Sequence, residues 1–236
     1  MLHHRMLTRK NPSGGTSPTT VGAVRFGATA GGERLRPGTV FTSSQSWSAC
    51  MWAKLVTDRN DYSGIFAFEH GGHSDAYQEL ITNSNGTTMA VYHPSSSFDV
   101  LAMTTGVWYF FGIKVGASGA CSAYYGTEGT GALTKVTGTV DYTGTFDQIT
   151  IGATNFSSVE YWNGDMAQVR AWNAELSDAE FYTEKINYQL QRTSNILGDW
   201  KLDAAGTVTV DSSGLSNTLG VSGFGSFSTQ TGPTIG

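Results

Sequence analysis

The run Trp162-Asn-Gly-Asp-Met-Ala-Gln-Val-Arg-Ala-Trp-Asn-Ala-Glu-Leu-Ser-Asp-Ala-Glu180 joins a predicted strand to a predicted helix. Asp165–Trp172 is a candidate strand. Ser177-Asp-Ala-Glu180 is a capping box, in which the Ser177 hydroxyl accepts from the third helical N–H while Glu180 reaches back to the cap. Tyr182, Ile186 and Leu190 then fall at i, i+4 and i+8, with Phe181 beside them. That spacing predicts one helix over 178–190, lying on the strands.

Outward from this run the chain is a series of short strands. Trp47–Leu55 places Trp47, Ala49, Met51, Ala53 and Leu55 on one face and Ser48, Cys50, Trp52 and Lys54 on the other. Apolar weight on both faces predicts a strand covered on both sides, and Val107–Val115 behaves the same way. Ile65–Glu69, Tyr77–Thr82, Thr88–Tyr92, Ala120–Tyr125 and Gln148–Gly152 are further strands between Gly, Ser and Asn turns. Thirty of the 236 residues are glycine and only 14% are charged. An average soluble chain has roughly 7% glycine and roughly 25% charge. The balance excludes a coiled coil, a helical bundle and charge-dominated disorder. It predicts an all-β fold, a two-sheet antiparallel sandwich with one short helix. Cys50 and Cys121 are expected to be free, buried thiols, because no disulfide framework surrounds them.

Three stretches together resemble the concanavalin A-like jelly rolls, in particular the laminin-G-like group. In the run from Trp162 to Glu180, Gly164, Val169, Arg170, Asn173, Leu176, Ser177, Ala179 and Glu180 match in order the family's late strand and helix start. Ala23-Val-Arg-Phe26 followed by Ser46-Trp-Ser-Ala-Cys-Met-Trp52-Ala-Lys54 is similar to its early strands, and Gly106-Val-Trp108 to its G-x-W strand. The likeness covers about residues 21–190, and it implies a jelly roll. Ala167 and Gln168 stand where the family usually carries an acidic pair, so no metal role transfers to those positions. Residues 194–236, with Trp200-Lys-Leu-Asp203, Val210-Asp-Ser-Ser-Gly214 and Gly232-Pro-Thr234, resemble the segment that normally opens the domain. Placed last, this segment either closes its own sheet, the preferred arrangement, or adds a strand to a neighbouring copy.

Charge divides the chain. Residues 1–36 hold six basic side chains against one acidic, a net +5, and the remainder holds 8 against 18, a net −10. Residues 1–20 read as a basic arm and linker, with Arg5, Arg9 and Lys10 as anchoring residues, ahead of the domain at 21–236. An acidic body with no basic, aromatic-interleaved stripe argues against nucleic-acid binding. The longest apolar runs fall short of a membrane span, and the N-terminus lacks the apolar core of a secretory signal.

No catalytic residue is assigned. A retaining glycosidase needs two carboxyl groups about 5–5.5 Å apart. On a single strand that means alternate acidic residues, which neither Glu69–Asp75 nor Glu160–Asp165 provides. Asp58, Asn60 and Asp61 form an oxygen-rich loop that would suit Ca²⁺, the one cofactor considered, although such residues equally make an ordinary turn. His70 and His73 with Asp75 are a weaker transition-metal set. Tyr62, Tyr92, Tyr124, Tyr125, Tyr161 and Trp162, near strand ends or loops, are the candidates for stacking on a glycan. The leading expectation is a non-enzymatic surface module of a virus particle, a bacteriophage capsid decoration or fibre. It would be made in a host cytoplasm and displayed on the virion surface. It would contact other virion proteins or its own copies, and host glycans. The alternatives are a lectin-like carbohydrate-binding or adhesion module and, third, a glycoside hydrolase.

Overall fold

A computed structural model describes residues 18–27, 32–38, 46–69, 77–93, 95–141, 146–154, 160–204, 206–224 and 226–236. Its elements in chain order begin with β1 (Thr19–Phe26), β2 (Arg34–Pro37), β3 (Trp47–Leu55), β4 (Ser63–Glu69), β5 (Tyr77–Thr82), β6 (Thr88–His93), β7 (Ser96–Ala102) and β8 (Trp108–Val115). They continue with β9 (Ala120–Thr127), β10 (Thr134–Thr139), β11 (Gln148–Ile151), β12 (Gly164–Trp172), α1 (Asp178–Ile186), β13 (Ile196–Trp200), β14 (Leu219–Ser222) and β15 (Ser228–Ile235). The first sheet runs β10-β9-β8-β3-β12-β1-β15, with β13 also on β12. The second runs β14-β2-β11-β4-β5-β6-β7. All strand pairings between these elements are antiparallel, and the architecture is the jelly-roll sandwich expected from the sequence.

Alternation along β3 explains the two layers of core. Trp47, Ala49, Met51, Ala53 and Leu55 face the second sheet, where Trp47 lies 4.4 Å from the Phe68 ring. Cys50 and Trp52 face outward and are covered by α1, together with Trp108, Phe110, Tyr124, Trp172 and Phe181. Gly112 on β8 makes this close approach possible, since a Cβ there would stand 2.7 Å from the Phe181 ring. Both cysteines are buried and unpaired, and burial pushes the Cys121 thiol up to about 12.

The C-terminal segment closes sheets of its own chain: β13 pairs with β12, β14 with β2 and β15 with β1. Strand β12 therefore changes partner along its length. Its first half pairs with β1 (Val24↔Met166) and its second with β13 (Val169↔Trp200). At the junction Gln168 adopts a left-handed backbone, φ 51°, and the pairing with β3 is interrupted between Ala167 and Arg170.

The helix differs from its sequence reading at both its end and its face. The capping box forms as expected, with Glu180 N donating to Ser177 Oγ and Ser177 N to Glu180 Oε2. The helix then stops at Ile186 rather than 190. Gln168 Nε2 donates to the carbonyls of Asn187 (2.8 Å) and Tyr188 (3.0 Å), and the Arg170 guanidinium donates to the same two. The chain leaves the helix because side chains of β12 hold those carbonyls. The buried face is Phe181, Glu184 and Lys185, while Tyr182, expected on the stripe, is 42% exposed.

Arg170 is fully buried and bridges Glu184 (2.6 Å) on α1 and Asp199 (3.0 Å) on β13, and Asp199 also holds Lys201 at 2.8 Å. Removing one partner of such a network leaves an uncompensated buried charge, a loss of about 3–5 kcal/mol. Arg170→Met is therefore expected to lower the unfolding free energy in urea by about that amount. A loss under about 1 kcal/mol would show that the network carries no such weight.

Candidate functional site

The outer face of the second sheet carries the polar side chains that the core rejects. Phe66, Phe68, Leu80, Met89, Val91, Ile149, Ile151 and Leu35 point into the core. Alternation then turns Glu69, Glu79, Tyr92, Gln148, Thr150 and Arg36 to the opposite face. Register aligns them across neighbouring strands: Thr150 opposes Ala67, Ala67 opposes Glu79, and Glu79 opposes Tyr92. Four strands side by side span about 14 Å. Arg36 occupies one end, donating to Thr150 Oγ1 (2.9 Å) and Glu69 Oε2 (3.0 Å).

The other end is rimmed by tyrosines. Tyr62 is exposed, and Tyr92 and Tyr161 are half-buried. The Tyr161 backbone bridges Gly64 and Ala153, which brings it beside the start of β4. Its ring packs on Gly32, whose φ of 64° and lack of a Cβ leave room for it. Burial raises the Tyr92 phenol, with added contributions from the nearby Glu79, Tyr62 and Glu160. Tyr62 and Tyr92 are thus neighbours on one rim, whereas the Tyr161 ring turns toward Gly32, ahead of β2.

Glu79 lies beneath that rim, 1% exposed, and its Oε1 has no hydrogen-bond partner. Burial pushes its carboxyl well above the usual range, and the charges of Glu160 and Glu69 push it the same way. Thr154 has one hydroxyl proton, committed to Glu160 Oε2 at 2.6 Å. The contact of Glu79 with the Thr154 hydroxyl acts the other way, but burial outweighs it.

The other three aromatic candidates are placed elsewhere. Trp162 is fully buried in the core between the sheets. Tyr124 stacks on Phe181 at 4.4 Å beneath the helix, and its hydroxyl donates to Asp178 at 2.6 Å. Neither presents a ring to a ligand, because α1 and the second sheet cover the faces that the sequence left open. Tyr125, half-buried on β9, opposes Phe111 and Thr134 and packs against the core between the sheets. The loop of Asp58, Asn60 and Asp61 is a pair of side-chain turns: Asn60 N donates to Asp58 Oδ1 (2.7 Å) and Tyr62 N to Asp61 Oδ1 (2.8 Å). Among the described residues no three His, Cys, Asp or Glu side chains converge as a metal set. Arg5, Arg9 and Lys10, like His70, His73 and Asp75, lie outside the described residues.

The sequence reading missed Glu79 and treated Glu69 and Glu160 only as members of single-strand motifs. Their association rests on cross-strand register, which linear spacing does not encode.

A family model described as the concanavalin A-like lectin/glucanases superfamily, of laminin-G type, matches residues 26–181. No curated protein matches the chain. Among solved structures it is similar to a proposed carbohydrate-binding protein from Bacteroides ovatus, with 14% identity and a TM-score of 0.64 over 92% of this chain. It spans 62% of the length of that protein. It is also similar to the native heptameric SAP-like pentraxin of Limulus polyphemus (13% identity, TM-score 0.56, 90% of this chain and 95% of that one). A third similar structure is the enzymatically active domain of tailspike protein 2 of bacteriophage CBA120 (13%, 0.55, 84% and 34%). At these identities the likeness is one of fold. Among the described residues no helix is long and apolar enough to cross a membrane.

A carboxyl raised on folding keeps its proton after the unfolded chain has lost it. Stability linked to Glu79 is therefore intact below the unfolded carboxylate pKa and lost as pH rises from there toward the folded value. Glu79→Gln, which keeps the shape of the carboxyl without a group that ionises, is expected to melt above the parent protein at about pH 8 and to lose that advantage near pH 4. Equal melting temperatures at both pH values would show that Glu79 is ionised in the folded protein.

Proposed function

The chain belongs to the concanavalin A-like lectin/glucanases superfamily, and from that premise we propose that it is a carbohydrate-binding module that holds glycans without cleaving them. The observation that carries this reading is the pair Tyr62 and Tyr92 at the end of a polar row on the second sheet. A sugar ring offers an apolar face to an aromatic side chain and hydroxyls to flanking acids and amides. Tyr62 and Tyr92 supply the first, while Glu160 and the Asp61 carboxylate supply the second.

Glu69 and Glu79 on one face favour a glycosidase as the competing reading, since a pair of neighbouring carboxyls is what such catalysis requires. Both are at most 1% exposed, so no glycosidic bond reaches them in this conformation. That burial supports the non-catalytic reading.

A display role on a virus particle is the finer proposal. Its support is the separation of a +5 stretch at residues 1–36 from a −10 remainder, which favours assembly with acidic neighbours such as further copies. Light scattering on the full-length chain is expected to give a defined oligomer, and a monomer at every concentration would count against the assembly role.

Tyr62→Ala and Tyr92→Ala are each expected to weaken binding to whichever oligosaccharide a glycan array selects by about tenfold, or about 1.4 kcal/mol. Folding should be unchanged by circular dichroism, and the bound oligosaccharide should be recovered intact. Undiminished affinity in both variants would overturn the site, and recovery of shortened products would replace binding with hydrolysis.

A further inference from the structure

On the far side of the first sheet, the segment after α1 and the outer end of β1 enclose two adjoining clefts of about 390 and 470 Å³. Thr19 and Tyr188 line both, so the clefts form one continuous trough. Asn187, Gln189, Gln191 and Ile235 line one end and Asp203 the other. Among the described residues the second sheet contributes none to either cleft, so the trough is separate from the tyrosine rim.

Three observations give this trough a chemistry. Its central aromatic is fixed in place: the Tyr188 carbonyl accepts from Gln168, Arg170 and Lys201, and its hydroxyl donates to Asp203. The Lys201 ammonium sits 4.6 Å from the Tyr188 ring centroid, so the ring is held from the protein side as well. Its polar lining is made of amides with unused capacity. Gln189 is exposed, with no side-chain partner among the described residues, and Asn187 directs only its Nδ2 to a protein acceptor, the Thr183 carbonyl. Finally, among the described residues the lining includes no arginine, lysine or histidine. Lys201, behind the ring, is paired with Asp199.

A fixed aromatic ring, flanking amides, a carboxylate and an apolar floor at Ile235, with no cation in the lining, is a lining for hydroxyl-rich, uncharged ligands. Phosphate, sulfate or uronate groups would meet Asp203 with no opposing charge. We infer that this trough is a second carbohydrate site, selective for neutral oligosaccharides and independent of the tyrosine rim. The rigidity of the 187–191 segment serves it directly, because a loop already held by Arg170 and Gln168 loses little freedom on binding.

The test is calorimetric titration of the full chain with cellohexaose, xylohexaose and maltohexaose, and with a trigalacturonate as the charged probe. The parent protein is expected to bind at least one neutral hexaose. A variant carrying Gln189→Ala and Gln191→Ala, both exposed positions, should lose at least tenfold in affinity at the trough while melting like the parent. Tyr188→Ala should lose it entirely, and Tyr62→Ala with Tyr92→Ala should leave it unchanged. Both trough variants titrating with the parent's full stoichiometry and affinities would overturn the inference, as would failure of all three hexaoses to bind or preference for the trigalacturonate. Binding lost only in the Tyr62 and Tyr92 variants would place every sugar on the rim, refuting the trough while sustaining the proposed function. Binding lost only in the trough variants would do the reverse.

Discussion

Arg170 is the interaction on which the rest of this structure depends. It sits in the middle of β12, the strand where the first sheet changes partner, and it has no access to water. A buried guanidinium requires paired charge and filled donors, and the chain provides both from three directions. Glu184 comes from the helix, Asp199 from β13, and carbonyls of Glu184, Asn187 and Tyr188 from the helix end. One side chain thereby fixes where the helix lies, where it stops and which segment may pair beside β1. The left-handed Gln168 next to it completes the clamp.

That clamp explains how a segment placed last in the chain can serve the sheets. Trp200 is fully buried, with Nε1 donating to the Asn217 carbonyl at 2.9 Å, and Asp211 binds the Asp199 and Asn217 N–H groups at 3.0 Å each. Backbone hydrogen bonds on the Asp211 carboxylate hold it below its ordinary range despite burial. The C-terminal segment is thus tied to β12 through charge and to the core through tryptophan, so its order in the sequence is immaterial to the packing.

Much of the fold was legible in the sequence, because alternation and capping are local. Trp47–Leu55 and Tyr77–Thr82 occur with the boundaries expected, and the Ser177–Glu180 box starts the helix as read. What was not legible is what distant strands impose. The helix end depends on Arg170 and Gln168, and the buried helix face turns toward Gly112 rather than along the stripe through Tyr182. The candidate site divides on the same principle. Tyr62 and Tyr92 come together because the strands they flank lie side by side in the second sheet, whereas Tyr161 turns toward Gly32, and Tyr124 and Trp162 fall under covering layers. Glu79 gave no motif at all, since its partners come from β6, from the strand opposite and from the 154–160 region.

A rigid sandwich whose side chains are fixed by register and buried charge is a suitable support for a binding surface, because little order remains to be gained when ligand arrives. The measurement that tests this account most directly is a crystal structure of the full chain with the best-binding oligosaccharide from the array. The account predicts an intact sugar with a ring stacked on Tyr62 or Tyr92 and the backbone of β4, β5 and β6 unmoved. A sugar seated away from both tyrosines, or a cleaved product lying against Glu69 and Glu79, would contradict it.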